Sequence, residues 1–472
     1  MRKTKIIATL GPASANEVTM RNLMLAGVNV FRLNFSHGSH DIHEASIGLI
    51  DKLNDELGMH VATLADLSGP KIRTGVVEGD SMMLIPGEEI TFTTHKELCA
   101  HRTISVNYQG FATDIKPGED ILIDDGKLLL KVISSNQTDE VIARVVQGGL
   151  LTSRKGVNLP KTVLRLPSLS EKDLKDLDFI MTRNIQWVAL SFVRSAEDIE
   201  QLRKLISDYS VKNPPRIIAK IEKPEAVLQA EEIIRASDAI MIARGDLGVE
   251  IPQEQVPVVQ KKLVRLSVAA SKPIIVATQM MEGMITGMRP TRAEVSDVAN
   301  SVLDGADALM LSGETSVGLY PVQTVETMSR IISDVENSEV SYHDISHLEN
   351  QDRRISDAII MAACDLARKV NARALIAMTN TGYSAFRIAS HRTASGIFIF
   401  SDNQKLLKSL SLVWGVTGTH FARFINTDTA MFDMRKSLLS RGFVSKGDYI
   451  IYISSIPIGQ PGKTNMLKLS TV

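Results

Sequence analysis

Two apolar runs that end in charged residues decide how this chain folds: Arg216-Ile-Ile-Ala-Lys-Ile-Glu222 and Ala239-Ile-Met-Ile-Ala-Arg-Gly-Asp246. Short, continuous apolar runs of this kind predict buried strands of a parallel sheet. The two runs place Lys220, Glu222 and Asp246 where neighbouring strands stop. A cation beside two carboxylates predicts a site that binds a divalent metal and handles phosphate.

The alternation of strands and helices extends outward from these runs. Three strand-like runs separated by single helical segments precede residue 69, and five more follow residue 167 in the same rhythm. Strands joined by single helices predict parallel βα units, and eight such units make a TIM barrel. Capping boxes at Ser170 and Thr291 and the stop at Gly305 support the helices. The predicted strands span residues 5–10, 28–34, 61–66, 187–191, 217–222, 239–243, 274–278 and 308–312.

The alternation of strands and helices stops between residues 69 and 167, where turn signals such as Pro86-Gly87 and Asp125-Gly126 become dense. Short strand-like runs without an evident amphipathic helix predict a small all-β domain inserted after the third barrel strand. A polar linker at 334–354 leads to a third domain, with a helix at 356–370 and strands at 374–378, 397–400 and 449–454. We therefore expect an α/β protein whose barrel (1–68 and 168–345) carries an inserted lid (69–167) and a C-terminal α/β domain (346–472).

Composition argues against several other classes of protein. A chain of 472 residues is too long for one core, and its 44% hydrophobic and 23% charged residues are ordinary for a globular protein. A net charge of −1 argues against nucleic acid or membrane as a partner. Cys99 and Cys364 lack metal-ligand spacing and indicate a reducing compartment. Without a signal-peptide core or a bilayer-spanning run, the prediction is a cytoplasmic protein.

Function in a TIM barrel lies at the carboxyl ends of the strands, and most of these ends are polar in this chain. A single charged strand end usually means a solvated loop, but six together indicate a convergent pocket. The residues are Arg32, Asn34 and Ser36 after strand 2, Asp66 after strand 3, Ser191 after strand 4, Lys220 and Glu222 at strand 5, Arg244, Gly245 and Asp246 after strand 6, and Thr278 at strand 7.

Lys220 and Glu222 lie two residues apart on a strand, so their side chains point to the same side. A purely structural ion pair is the common alternative. A metal site needs another carboxylate, which Asp246 supplies, because Mg²⁺ typically takes one or two carboxylates plus substrate oxygens and water. An ammonium stabilises charge on a phosphoryl group in transfer, and Arg32 offers a bidentate fork for phosphate.

Segments spread along the whole chain resemble those of the pyruvate kinase family. They are Thr4-Lys-Ile-Ile-Ala-Thr-Leu-Gly-Pro12, Asn29-Val-Phe-Arg-Leu-Asn-Phe-Ser-His-Gly38, Lys155-Gly-Val-Asn-Leu-Pro160, Lys220-Ile-Glu222, Ala243-Arg-Gly-Asp-Leu-Gly-Val-Glu250, Ala277-Thr-Gln-Met280, Arg289-Pro-Thr-Arg-Ala-Glu294 and Leu311-Ser-Gly-Glu-Thr315. The resemblance implies a TIM (β/α)8 barrel, an inserted small β-barrel lid and a C-terminal, Rossmann-like α/β domain. It also implies a homotetramer that transfers phosphate from phosphoenolpyruvate to ADP, giving pyruvate and ATP in the last step of glycolysis.

The resemblance assigns roles to the strand-end residues. Glu222 and Asp246 hold Mg²⁺ (or Mn²⁺), Lys220 stabilises the phosphoryl group in transit, and Arg32 anchors it. The backbone at Gly245 and the Thr278 hydroxyl position the three-carbon acid, with the hydroxyl near the carbon that becomes protonated. Four residues are assigned to the nucleotide, although local hydrogen bonding is an equal alternative for the loop histidine: Asn34, His37, Arg73 and Lys155.

The stretch after strand 3 departs from the family. Many members carry Asp-Thr-Lys-Gly-Pro-Glu-Ile-Arg-Thr-Gly and need K⁺, whereas this chain has Asp66-Leu-Ser-Gly-Pro-Lys-Ile-Arg-Thr-Gly75. Lys71 replaces an acidic residue, a change of two charge units, and its tethered ammonium can replace a bound monovalent cation. We expect K⁺ to be dispensable; the alternative is that Lys71 is merely solvated. The K⁺ ligands implied by the resemblance are Asn34, Ser36, Asp66 and the carbonyl of Leu67.

A second candidate site lies in the C-terminal domain. The strand at 374–378 runs into a Gly-containing turn before a predicted helix from Ala385, and N–H groups at such a turn attract anions. In the family the matching loop binds the phosphate of a sugar-phosphate effector, with 454–465 closing over it; AMP is the other candidate effector. An ordinary turn without ligand is an equal alternative. The residues are Thr379, Asn380, Thr381, Gly382, Tyr383 and Ser384.

Two rival functions remain at this point. A TIM-barrel lyase with a Mg²⁺-enolate intermediate shares Glu222 and Asp246 but needs neither a lid nor nucleotide-facing residues. A catalytically inactive metabolite sensor is favoured by loss of Lys220, Glu222 or Asp246, and all three are present.

Overall fold

A computed structural model describes residues 2–338, 353–422, 426–456 and 463–472. Within these ranges, eight parallel strands close into a barrel in which each strand pairs with the next along the chain and the first pairs with the eighth. The predicted TIM barrel is therefore confirmed; half of the strand ends coincide with the prediction, and the others differ from it by one or two residues. Strands 1 to 8 of the barrel are Lys5–Thr9, Val30–Asn34, Ala62–Asp66, Trp187–Leu190, Arg216–Ile221, Ala239–Ala243, Ile274–Ala277 and Ala308–Leu311.

The barrel strands are buried on both faces, which explains their continuous apolar runs. In strand 6, Ile240 and Ile242 belong to the core shared with the surrounding helices, whereas Ala239 and Met241 belong to the core inside the barrel. Alternate residues thus serve different cores, as the two-residue period of a strand requires.

Helices surround the barrel and begin and end at the predicted signals. Ser170 and Thr291 each form a capping box, and Gly305 ends its helix in the left-handed region with φ 102°. The shorter 3₁₀ turns are Gln253–Gln255 and Glu282–Ile285. The helices are Glu17–Ala26, His40–Leu57, Glu171–Met181, Ala196–Asp208, Pro224–Leu228, Ala230–Ala236, Arg244–Glu250, Val256–Ala269, Arg292–Asp304, Gly313–Ser316 and Pro321–Ser338.

The insert after strand 3 is dominated by β-structure. Its strands form one six-stranded sheet and two two-stranded sheets. A four-residue α-helix, Phe111–Asp114, and a 3₁₀ turn, Glu78–Asp80, interrupt the all-β pattern; both are too short to show helical periodicity in the sequence. The strands are Val76–Val77, Ser81–Leu84, Glu89–Thr93, Leu98–Cys99, Thr103–Ser105, Asp120–Ile123, Leu128–Ser135, Glu140–Gln147, Gly149–Thr152 and Val157–Asn158.

The C-terminal domain contains a five-stranded sheet with helices Arg354–Lys369, Tyr383–Ser390, Gln404–Ser409 and Thr427–Ser440. Two edge strands were missing from the prediction because their residues are mostly half-buried or exposed and do not form apolar runs. The predicted boundary at 345/346 lies outside the described residues, as do most of the 334–354 linker and residues 457–462 of the 454–465 loop. In spatial order the strands are Val416–His420, Gly396–Ser401, Ala374–Met378, Tyr449–Ser454 and, antiparallel, Met466–Thr471.

The C-terminal domain packs against the N-terminal ends of the barrel strands, opposite the polar strand ends. Lys5, the first residue of strand 1, donates to the carbonyl of Val416 at 2.8 Å, and Trp187 Nε1 of strand 4 donates to a carbonyl of the same domain. A buried Arg392–Asp307 ion pair at 2.9 Å joins the two domains. The carboxyl ends of the barrel strands, which form the mouth of the barrel, therefore remain free to contact the insert.

Two further findings concern the chain as a whole. Cys99 and Cys364 are free thiols in buried positions. None of the described helices combines the length and the apolar character that a membrane crossing demands.

Candidate functional site

The side chains predicted from strands 3, 4 and 5 meet around Lys220 at the mouth of the barrel. Its Nζ lies 2.7 Å from Ser191 Oγ, 2.8 Å from Glu222 Oε1 and 3.3 Å from Asp66 Oδ1. Burial by itself lowers the pKa of Lys220, but the carboxylates of Asp66, Glu222 and Asp246 outweigh it and raise that pKa. Lys220 is therefore a buried cation that stays protonated.

Arg32 and Asp66 form a second ion pair beside Lys220. Arg32 Nε and one terminal nitrogen both lie 2.7 Å from Asp66 Oδ2, and the other terminal nitrogen donates to Thr9 Oγ1 at 3.1 Å. Burial alone raises the pKa of Asp66, but the charges of Lys220 and Arg32 outweigh burial and hold that pKa below its ordinary value. The guanidinium fork expected to bind phosphate is thus engaged by a carboxylate, which an incoming phosphate has to displace or share.

Glu222 and Asp246 have the properties required of a divalent-metal site. The backbone N–H of Phe192 donates to Glu222 Oε2 at 2.7 Å, and Oε1 lies 2.8 Å from Lys220 Nζ. Burial, and then the neighbouring charge of Asp246, raise the pKa of Glu222 against the opposing effect of Lys220. A cation between the two carboxylates offsets both the burial of the Glu222 charge and its repulsion by Asp246, so these residues fit Mg²⁺.

The protein supplies few ligands to such a metal. Asp246 is half-buried in the first turn of helix Arg244–Glu250, directly after strand 6. Within the part of the chain that the structure describes, no group of three or more His, Cys, Asp or Glu side chains is placed to hold a metal. Two carboxylates therefore leave the other coordination positions to substrate and water, the usual situation for Mg²⁺.

Thr278 lies in a strained loop held by neighbouring residues. It has φ 68°, an outlier for a β-branched residue, and its hydroxyl accepts from Gly245 N–H at 2.7 Å and donates to Ala277 O at 2.6 Å. Arg244 donates to the Thr278 carbonyl at 2.9 Å and pairs with Asp297 at 2.7 Å. Sequence reasoning found Arg244 but missed Asp297, which lies on helix Arg292–Asp304 and follows no strand.

The residues assigned to the nucleotide lie around the hinge of the lid and the loop after strand 2. Lys155 forms an ion pair with Asp124 at 2.9 Å, and an Arg73 guanidinium nitrogen donates to a backbone carbonyl at 3.2 Å. The side chain of His37 is exposed, and Asn34 Oδ1 accepts from the backbone of the same loop. Among the described residues, no side-chain hydrogen bond or ion pair joins these four to Lys220.

Three of the four expected K⁺ ligands are already engaged within the protein. Both oxygens of Asp66 face Arg32 or Lys220, Asn34 Oδ1 accepts from Ser36 N–H at 3.1 Å, and the Leu67 carbonyl accepts from the Ser191 hydroxyl at 2.7 Å.

Lys71 lies close to this region. Its Nζ is 5.5 Å from the centre of the Phe192 ring, and with Asp246 it lines a cavity of about 80 Å³. Burial raises the pKa of Glu222, and the charge of Lys71 opposes that rise. Lys71 is exposed, and its charge acts on Glu222.

The predicted effector loop forms a tight turn at the start of helix Tyr383–Ser390, two residues earlier than expected. Gly382 has φ 86°, and its N–H donates to Thr379 Oγ1 at 2.9 Å. A second N–H of the turn, that of Tyr383, points at Thr381 Oγ1 at 3.4 Å. Two N–H groups of the turn therefore face the turn's own hydroxyls. The two remaining predicted residues are Asn380, which lines a neighbouring cavity, and Ser384, whose hydroxyl is 3.1 Å from Thr464 Oγ1.

Comparison with known proteins agrees with this architecture. Residues 1–325 match the family described as "Pyruvate kinase, barrel domain", and residues 357–470 match "Pyruvate kinase, alpha/beta domain". A pyruvate kinase of Corynebacterium glutamicum is 43% identical over 99% of this chain and 97% of its own length, and one of Mycobacterium tuberculosis is 40% identical over 100% and 98%. The crystal structure of a pyruvate kinase from Cryptosporidium parvum superimposes with a TM-score of 0.94 at 34% identity, covering 100% of this chain and 96% of the other. The chain belongs to the pyruvate kinase family.

Proposed function

We propose that this chain transfers the phosphoryl group of phosphoenolpyruvate to ADP and releases pyruvate and ATP. The observation that carries the proposal is the buried Lys220, charged and surrounded by Asp66, Glu222 and Ser191, with Asp246 at the next strand end. Family membership along the whole chain supports the same activity and argues against the lyase. The lid is a further part that the lyase does not need.

Lys220 stabilises the negative charge of the phosphoryl group during transfer. Its pKa is raised, so the ammonium remains charged while the substrate binds, and Ser191 and Glu222 fix its position beforehand. A preoriented charge in a buried site costs little reorganisation, which makes such groups effective in catalysis. Arg32 shares its nitrogens between Asp66 and the incoming phosphate.

Glu222 and Asp246 would hold Mg²⁺ (or Mn²⁺), on which the family generally depends. When bound, the ion would act as a Lewis acid and polarise an oxygen of the three-carbon acid. Phe192 N–H keeps Glu222 oriented, with φ 55° at Phe192 as the backbone strain that accompanies this contact.

Thr278 holds the proton that the enolate carbon receives. Its hydroxyl is oriented by the N–H of Gly245 and by the carbonyl of Ala277. Arg244, fixed by Asp297, keeps the loop in its left-handed conformation. Hydroxyl orientation and loop conformation are thus set before substrate arrives.

ADP binds between the lid hinge and the loop after strand 2. Lys155 and Arg73 supply positive charge for its phosphates, and Asn34 and His37 border it from the barrel. Closure of the lid excludes water, so that the phosphoryl group reaches ADP and is not hydrolysed.

K⁺ is dispensable in this chain although the family generally depends on it. Lys71 supplies a positive charge near the metal carboxylates, and three of the four ligands expected for K⁺ already make internal hydrogen bonds or ion pairs. An ammonium and a monovalent cation at the same place repel each other, which disfavours K⁺ binding.

The C-terminal turn at 379–384 binds the phosphate of a sugar phosphate or of AMP. Beside it lies a cavity of about 410 Å³ whose lining includes Arg216, Lys272, Arg353 and Arg387, opposed by two aspartates. Burial lowers the pKa of both Arg216 and Lys272, and an anionic ligand would reverse that penalty. We propose further that the protein is a cytoplasmic homotetramer, as its family resemblance implies.

The proposed activity is tested by pyruvate formation from phosphoenolpyruvate with ADP and Mg²⁺. We expect turnover that depends on all three and is unchanged when K⁺ is replaced by tetramethylammonium. Folded protein that forms no pyruvate would refute the kinase assignment. Titration of the protein with AMP and with sugar phosphates, against a Thr379→Ala variant, tests the effector site.

A further inference from the structure

Glu250 lies where the lid, strand 5 and helix Arg244–Glu250 meet. It is the last residue of that helix, and its side chain is almost completely buried. Its Oε1 accepts a hydrogen bond from Lys223 Nζ at 2.6 Å and another from Asn158 Nδ2 at 2.8 Å. One buried carboxylate oxygen therefore connects three segments of the chain.

Each of the three segments carries a residue with a proposed role. Lys223 directly follows Glu222, one proposed metal carboxylate, and the helix that ends at Glu250 begins with the turn that carries Asp246, the other. Asn158 lies in the lid strand Val157–Asn158, three residues after Lys155. Movement of the lid strand therefore displaces Asn158, one of the two hydrogen-bond partners of Glu250 Oε1 among the described residues.

Other contacts support a direct connection between lid and helix. The lid turn at Asp125 and Gly126 faces the same helix: a Cβ added to Gly126 would lie 3.9 Å from Val249. Asp125, Asn158, Lys223 and Asp246 line one cavity between the lid and the barrel. The lid therefore hydrogen-bonds to the end of the helix that carries Asp246 through Asn158, and it lies close to the same helix at Gly126.

We propose that Glu250 is a positioning residue that couples the orientation of the lid to the geometry of the metal carboxylates. Its contact with Lys223 holds the segment after Glu222, and its contact with Asn158 holds the lid, so that metal binding favours one lid orientation and the lid in turn favours metal binding. Such coupling is reciprocal by thermodynamic necessity. The inference rests on the proposed function for the identity of the metal site.

Binding of Mn²⁺, followed by electron paramagnetic resonance of the free ion, tests the coupling without requiring turnover. We expect Asn158→Ala, a change in the lid, to weaken Mn²⁺ binding about 10-fold, because a hydrogen bond to a charged group is lost. Asn158→Asp is expected to weaken it further, since it places a second carboxylate against Glu250. Equal Mn²⁺ affinity in wild type and Asn158→Ala would overturn the proposal.

Arg194→Met is the matched control. Arg194 also joins barrel to lid, donating to the carbonyls of Leu164 at 2.8 Å and Leu166 at 2.7 Å, but it does not contact Glu250. We expect this variant to raise the KM for ADP while leaving Mn²⁺ affinity within twofold of wild type. If both lid variants weaken Mn²⁺ binding equally, lid anchoring in general is responsible and Glu250 has no special role.

Hydrogen exchange supplies the reciprocal measurement. Mn²⁺ is expected to slow amide exchange in residues 157–158 of the wild type, and Asn158→Ala is expected to abolish that protection. A wild type that binds Mn²⁺ with this protection but forms no pyruvate would refute the proposed function and leave the coupling supported. A wild type that binds no Mn²⁺ would overturn the coupling.

Discussion

Replacing Lys220 with methionine removes the charge at the centre of the site while keeping most of the side-chain volume. The ammonium lies 2.8 Å from Glu222 and 3.3 Å from Asp66. With an effective dielectric constant of about 20, these attractions amount to about 6 and about 5 kcal/mol before desolvation is subtracted. Removing one partner of a buried ion pair costs about 3–5 kcal/mol in net stability. We expect a loss of that size at pH 7, measured by chemical and thermal unfolding.

The loss of stability in Lys220→Met depends on pH in a defined direction. Lys220 and Arg32 lower the pKa of Asp66, so Asp66 contributes stability above its unfolded pKa and loses that contribution as the pH falls through its folded pKa. Without Lys220 this contribution shrinks, because the pKa of Asp66 rises. The difference in unfolding free energy between wild type and variant is therefore expected to be largest at neutral pH and to narrow as the pH falls below 3.8, the ordinary pKa of an aspartate.

Activity provides the second measurement on this variant. Loss of a preoriented charge stabiliser lowers kcat by roughly 10²–10³-fold or more. The KM for ADP is expected to change little, since Lys155 and Arg73 lie at the lid hinge. Lys161→Met, which removes an exposed ion pair with Asp120 inside the lid, is the control and is expected to leave kcat and stability unchanged. A folded Lys220→Met enzyme with kcat within tenfold of wild type would refute the role of Lys220.

Three further predictions concern other parts of the molecule. Lys71→Glu is expected to make turnover depend on K⁺, with activity compared in KCl and tetramethylammonium chloride; indifference to K⁺ in the variant contradicts the role of Lys71. Thr278→Ala is expected to slow exchange of the pyruvate methyl protons with D₂O by about 10²-fold or more, and Thr278→Ser to retain most of it, because the serine hydroxyl can still hold the proton; equal exchange in both variants contradicts the assignment. Burial lowers the pKa of Lys5 to about 7. Burying the charged ammonium therefore lowers the stability of the folded protein by its full amount below pH 7, and this loss of stability disappears as the pH rises toward 10. Lys5→Met is therefore expected to raise the thermal midpoint at pH 6 and to lose that gain by pH 10, and a gain independent of pH would contradict it.

The barrel was predictable because its strands are buried on both faces and end abruptly in charge. Strand 6 shows this most clearly: five buried residues are followed directly by Arg244, Gly245 and Asp246. Parallel strands carry their functional ends at one face, so the sequence could indicate which side chains converge. The edge strands Val416–His420 and Met466–Thr471 were not predictable in this way, since a strand with one solvated face shows no apolar run.

The partners of the converging side chains could not be read from the sequence. Asp66 faces both Arg32 and Lys220, and the spacing of 34 residues between Arg32 and Asp66 carries no signal for that contact. Backbone strain is equally hidden: neither Phe192 nor Thr278 belongs to a residue type that favours positive φ. These features arise only when the eight strand ends are brought to one face.

The charges at the barrel mouth predict that Lys71 and a bound K⁺ differ in their effect on substrate binding. Lys71, Arg32 and Lys220 balance the three carboxylates of Asp66, Glu222 and Asp246. An acidic residue at position 71 leaves two cations against four carboxylates, a deficit of two charges, and a single K⁺ removes only one of them. We therefore expect Lys71→Glu saturated with K⁺ to bind phosphoenolpyruvate more weakly than wild type, measured as the KM at saturating Mg²⁺. Full recovery of that KM by K⁺ would mean that the position of the cation near the metal carboxylates, and not the total charge, determines substrate affinity.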